Sequence, residues 1–332
     1  RAARMTITVF YKLLAIFLTV GLGWVAGRLR WLETGAGGGD PARLLGNAAF
    51  TIFVPALLFR TTVRLDFASM PWRTVAAFFV PALLFVAVVY MWQRRTAGPG
   101  AQGAAAPSVR AISAVFGNSV QVGIPLAAAL FGEAGLAIHI ALVSLHAIIL
   151  LSLLTVLAEL DVGRHRAATG QASRLWPMLR QTLRNTIVHP VVLPVLAGLL
   201  WNATGLGLAP VLDETLTTLG SAVVPVCLVL IGLTLAYSNL KGQWQGAIGV
   251  GALKLLGLPA LVLATAQGVF GLAGLPLSVV VMMAALPVGS NALMFSQRYD
   301  SLQAETTAAI MISTVAFAAT GSLWLALLAW LA

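Results

Sequence analysis

The sequence predicts an all-α membrane protein: ten transmembrane helices arranged as two inverted five-helix repeats, with helices 4 and 9 broken. Three observations carry that reading. Of the 332 residues, 59% are hydrophobic and only 9% are charged, and the mean hydropathy is +0.94. Water-soluble domains carry about 25% charged residues, so too little polar surface remains to coat a globule in water. Apolar runs of spanning length recur along the chain, and segments such as VVLPVLAGLLW (191–201) lack the strict alternation a membrane barrel requires. Finally, the runs divide into two sets of five, and an odd number per set forces the second set into the membrane the other way up.

The first set of spans falls near 7–27, 44–62, 73–92, 109–131 and 136–158, and the second near 186–204, 214–237, 245–269, 276–297 and 304–331. Residues 1–158 therefore form the first repeat, 159–185 a cytoplasmic linker, and 186–332 the second repeat. The linker, ELDVGRHRAATGQASRLWPMLRQTLR over 159–184, is the longest polar connection, and a Gly/Ala/Pro-rich loop lies near 97–107. The first apolar run, Ile7 to Ala26, is long enough to span, so no cleavable signal peptide is expected. Arg1 to Arg4 precede Met5 and carry no role in this reading.

The net charge of +10 would suggest nucleic acid in a soluble protein. Here the positive residues lie in the connecting segments, where they report topology, and no nucleic-acid partner is expected. With the N-terminus outside, thirteen basic residues fall on the cytoplasmic side and six on the other, with Lys254 set aside within a span. The bias places both termini on the periplasmic or extracellular face of the cell's inner membrane. Cys227 is the single cysteine, so no intrachain disulfide forms.

Weak self-similarity supports the repeat. Span two carries VPALLF (54–59) and span seven VPVCLV (224–229); spans four and nine place proline and glycine inside apolar runs, GNSVQVGIPL (117–126) and ALPVGSNALMF (285–295). Each of the latter is followed by a short polar loop with an acid, Glu133 or Asp300, and then a further span. Proline removes an N–H and clashes with the carbonyl four residues earlier. In hydrocarbon such a break persists only where protein or a water-filled cavity satisfies the freed groups. Pro125 with Gly117 and Gly123, and Pro287 with Gly289, meet that description. Asn118, Ser119, Gln121, Ser290 and Asn291 surround the same breaks and offer amides and hydroxyls. Two readings stand open: a substrate site at paired half-helix ends, or a pair of structural kinks.

Lys254 falls about ten residues into span eight, roughly 15 Å deep at 1.5 Å per residue. A charge at that depth marks an ion or substrate path, the alternative being an interfacial lysine that snorkels to headgroups. On the first reading it partly neutralises an anionic substrate. No Asp or Glu lies clearly mid-span; Glu133, Glu159, Asp213, Glu214, Asp300 and Glu305 sit near predicted ends. His139 and His146 share one face of span five and are the candidates for a proton-linked role, a hydrogen-bonded structural role being the competing one. His189 reads as interfacial, and Gly23 and Gly27 as close-packing glycines. HExxH, P-loop and CxxC signatures are absent from the sequence, and no enzyme activity, metal or cofactor is expected.

VPALLFR in span two, GNSVQVGIPL in span four, LGSAVVPVCLVLIGLTLA (219–236), KLLGLPALVL (254–263) and ALPVGSNALMFSQRYD (285–300) occur in series along the chain. In that order they resemble the auxin efflux carrier family, within the larger group that includes the bile-acid/sodium symporters. The resemblance covers essentially the whole chain and looks like that of a bacterial member. It implies a scaffold of helices 1, 2, 6 and 7, a mobile core of helices 3–5 and 8–10, and a crossing of helices 4 and 9 at Pro125 and Pro287. It also implies an elevator-type secondary transporter that carries a small organic anion, auxin-like or another carboxylate, and that forms a homodimer in the bilayer through the scaffold. The coupling ion, H⁺ or Na⁺, stays open. A sodium-coupled symporter of the bile-acid type and a non-transporting membrane sensor are the alternatives.

Overall fold

The computed structural model describes residues 14–15, 18–32, 41–64, 71–96, 103–168, 180, 184, 192–237 and 244–331. His189, Lys241, the start of span six and most of the linker lie outside the described residues. Among the described residues every regular element is helical, as the composition predicts, and the only β pairing is an isolated antiparallel bridge between Gly117 and Val288. Six helical runs are long and apolar enough to cross a membrane, among them Trp72–Thr96, Trp244–Gly268 and Gln303–Leu331. One of the six, Ser119–His165, is 47 residues long. At about 1.5 Å per residue it would extend roughly 70 Å, more than twice the hydrocarbon thickness. Gly132, with φ +64 and ψ −162, breaks it where the sequence predicts a loop before Glu133. Large apolar side chains are left bare on the surface, Val211 at 80% and Trp330 at 81% exposure, as hydrocarbon contact requires.

The chain folds into two compact units, each built from both halves of the sequence: residues 1–70, 120–144 and 190–239 in one, and 71–119, 145–189 and 240–332 in the other. In the first unit, α1 (residues 18–28) lies against α10 (Val223–Tyr237) at backbone contact. A Cβ at Gly23 would collide with the Val229 carbonyl, and one at Gly232 with the Val20 carbonyl. Without a hydrophobic force between helices in lipid, this backbone approach is what lets dispersion hold them together. α2 (Pro41–Ala48) runs through a π turn, Ala49–Phe53, into α3 (Val54–Val63). α3 packs on α8 (Val192–Ala203) and α9 (Pro210–Ser221). Asn202 of α8 donates to the Val63 carbonyl (2.6 Å), satisfying an orphan acceptor at the end of α3. Arg60 and Arg64 both bind the Asp213 carboxylate, at 2.9 and 2.6 Å. α6 (Ile124–His146) begins in this unit.

The second unit holds α4 (Trp72–Thr96), α5 (Ala106–Val115), α7 (Ser152–Ala168), α11 (Trp244–Ala252), α12 (Leu258–Gly268), α13 (Gly274–Ala285), α14 (Ser290–Arg298) and the long α15 (Gln303–Leu331). α4 packs on α5 and α12, α5 on α7 and α14, and α15 on α11 and α13. Two of the acids that the sequence places at span ends, Glu305 and Glu159, act here as clamps, and so does Asp161. Arg110 of α5 grips Glu305 of α15 with two hydrogen bonds (2.7 and 2.8 Å) and gives a third to Gln93 of α4 (2.9 Å). Tyr90 donates to Asp161 (2.8 Å), and Tyr299 to Glu159 (2.8 Å).

Candidate functional site

Within the second unit two helices stop at the same place. α5 ends at Val115, and Phe116 turns extended (φ −76, ψ 103). α13 ends at Ala285, and Leu286 is extended (φ −55, ψ 148). The second break follows from sequence, because the residue before a proline is driven out of the helical region and Pro287 supplies no N–H to continue the ladder. The two extended segments then pair. Gly289 N–H donates to the Phe116 carbonyl (2.9 Å), Asn118 N–H donates to the Pro287 carbonyl (2.8 Å), and Gly117 faces Val288 in the antiparallel bridge. Val288 N–H has no place in this ladder; it donates to Ser313 Oγ of α15 (3.0 Å). Backbone freed by the breaks is thus satisfied by the opposite break and by one serine, as a low-dielectric surrounding demands.

Two glycines make the approach possible. A Cβ on Gly289 would sit 2.8 Å from the Gly117 carbonyl oxygen. A Cβ on Gly117 would lie 3.2 Å from Leu286 Cβ and 3.3 Å from Lys254 Nζ. Gly246, beside the Arg110–Glu305 pair, leaves the space that the Glu305 carboxylate fills.

Lys254 lies in a π turn, Leu253–Gly257, between α11 and α12, and is 0% exposed. Such turns widen a helix by one residue and are frequent at functional sites. The carbonyl of Leu255 in this turn is taken by Trp324 Nε1 of α15 (2.8 Å). Lys254 Nζ donates to the carbonyl of Ala284, in the last turn of α13 beside the crossing. Among the described residues no carboxylate stands within ion-pair distance of it. The snorkelling alternative is thereby removed: the ammonium points into the protein.

The other predicted residues divide. Asn118, Ser290 and Asn291 remain partly exposed, while Pro287 is buried in the crossing and Ser119 is buried just beyond Asn118. Ser119 Oγ lies 3.5 Å from His146 Nδ1, and the His146 ring is stacked at 4.2 Å on Phe116, so His146 touches both flanks of the α5 break. Its position just before a π turn, Ala147–Leu151, puts it there. Gln121, Pro125 and His139 belong to the first unit.

The expected crossing point at Pro125 is corrected. The first break is at Gly117 and Asn118; Pro125 is the seventh residue of the helical run that opens with the π turn Ser119–Gly123 and continues as α6, so its missing N–H falls where that turn gives way to the α-helix. Sequence reasoning also missed Ser313 and Phe116. Nothing local marks Ser313 in AIMISTVAF, since its partner lies 25 residues away along the chain.

Two comparisons bear on what this crossing belongs to. The chain is similar to a protein of Methanothermobacter thermautotrophicus described as an uncharacterized transporter, 25% identical over 319 residues that cover 94% of this chain and 95% of the relative. The family model described as membrane transport protein matches residues 8–325, nearly the whole length. The chain therefore belongs to the membrane transport protein family, the auxin efflux carrier group that its motifs resemble.

Proposed function

We propose that this transporter carries a small organic anion, an auxin-like acid or another carboxylate, and that the crossing is its binding site. In this reading ten helices form two inverted repeats, and the crossing unit moves against the scaffold in elevator fashion. The observation that carries it is a buried lysine with no carboxylate partner among the described residues, standing behind partly exposed amide and hydroxyl groups. Ser290 and Asn291 open α14, whose first turn is the positive end of the helix dipole; there the Ala292 N–H is taken by the Gly289 carbonyl (3.0 Å), which leaves the N–H groups of Ser290 and Asn291 nearest to a ligand. A carboxylate placed there accepts those hydrogen bonds, with the Asn118 amide as a further donor from the opposite break. Neutral polar groups set orientation, and the positive end of α14, with the Lys254 charge behind it, selects an anion.

The test is flux of radiolabelled small acids in proteoliposomes. Asn118→Ala removes one donor from the carboxylate and is expected to lower apparent affinity at least tenfold, since a hydrogen bond to a charged group contributes about 1.5–3 kcal/mol and tenfold is roughly 1.4 kcal/mol. A variant whose affinity and rate equal those of the wild type removes the crossing as the site.

A further inference from the structure

Where α13 stops, the carbonyls of its last turn have no intrahelical acceptor role to fill and form the negative end of a helix dipole. After four intervening residues α14 begins, with its positive end. An anion drawn to the start of α14 is repelled by the end of α13, so the break serves an anion only if a cation neutralises that end. In transporters with broken helices, carbonyls of this kind hold a sodium ion or a proton. In this chain Lys254 Nζ donates to Ala284, one residue before the end of α13, and lies against Gly117 of the opposite break. It is fully buried, and among the described residues its hydrogen-bond partner is that carbonyl and not an acid. The π turn at Leu253–Gly257 and the bare Cα of Gly117 are what give the ammonium room.

We infer that the Lys254 ammonium is a tethered cation, filling at the end of α13 the position a coupling sodium ion would take, so that this protein holds its crossing together and works without sodium. Its transport consequence rests on the carrier reading above; its structural consequence does not. Lysine here is a positioning residue for the two broken helices rather than a ligand of the substrate. Removing the side chain beyond Cβ leaves a cavity shaped for propylammonium beside the Ala284 carbonyl.

The experiment is thermal melting of the detergent-purified full chain. Wild type is expected to melt at the same temperature in sodium, potassium and choline chloride of equal ionic strength. Lys254→Ala is expected to melt several degrees lower and to regain at least half of that loss in propylammonium chloride, with no gain from the uncharged propanol. Stabilisation of the wild type by sodium over choline overturns the inference, and so does a folded Lys254→Ala that propylammonium leaves unchanged. Should Lys254→Ala not be recoverable even when purified in propylammonium, Lys254→Gln decides: it keeps an N–H donor without the charge, and wild-type melting in that variant also overturns the inference, whereas a lowered melting temperature supports it. Failure of the carrier reading looks different, as no flux of any acid by a wild type whose Lys254→Ala variant shows the amine rescue in full.

Discussion

A Gly289→Ala variant is expected to reach the membrane, melt well below wild type and carry no substrate. The added methyl group meets backbone on every near side: the Gly117 carbonyl oxygen at 2.8 Å, its carbon at 3.0 Å and the Asn118 nitrogen at 3.2 Å. Side chains give way to such a clash, but these atoms belong to an extended segment fixed by its own hydrogen bonds. The crossing must open, and with it go the bonds from Gly289 to Phe116 and from Asn118 to Pro287. Overpacking costs about 1–3 kcal/mol. Two buried hydrogen bonds left unmade add about 1–3 kcal/mol each. Alanine at Gly249 or Gly268 is the control, because a Cβ at either meets nothing within 4 Å. Melting curves and proteoliposome flux on the three variants decide the matter. Wild-type values for Gly289→Ala would mean that the two breaks do not touch.

The second large effect is expected at Arg110. Glu305 is 3% exposed and Arg110 holds it bidentately, with Gln93 taking the remaining arm of the guanidinium. Such a pair gives little net stability over apolar residues of similar size, yet removing one member strands the other charge. Arg110→Ala is therefore expected to lose about 3–5 kcal/mol. The double variant Arg110→Leu/Glu305→Leu removes both charges and is expected to recover most of that loss. Since the pair is shielded from solvent, raising the salt concentration changes little. A double variant that melts no higher than Arg110→Ala would show that the arginine's packing, and not the stranded carboxylate, is what counts.

Much of this protein was legible before any coordinates. Composition alone excludes a soluble globule, and Pro287 announces its break because proline acts on the residue beside it. Lys254 was visible as a charge at depth, and Gly23 as a place where two backbones meet. The other break was misplaced to Pro125 because a proline inside a helical run can be taken up by a π turn before it, here Ser119–Gly123, and sequence does not tell that from an interruption. Glycine at 117 breaks the first helix through what lies opposite it, and that is a long-range fact. Ser313 was invisible for the same reason: a serine inside an apolar span looks the same whether it bonds its own helix or an amide elsewhere. Sequence does not show what the acids near predicted span ends bind. Whether Glu159 or Asp161 binds a solute or a tyrosine depends on which helices pack beside α7. Counting spans from sequence gave ten, whereas six runs in the described residues have full spanning length; a broken helix such as Gly274–Ala285 is too short to qualify alone.

The two tyrosines bonded to α7 bear on how stiff this unit is. Tyr299 fastens the far end of α14 to Glu159, and Tyr90 fastens α4 to Asp161 two residues along. A half-helix anchored at its tail as well as at its head has no free end about which to swivel. If the unit shifts during a transport cycle, α4, α7 and α14 go together like a stiff plug, and the compliance needed for that journey has to reside in the segments joining the plug to the rest of the chain.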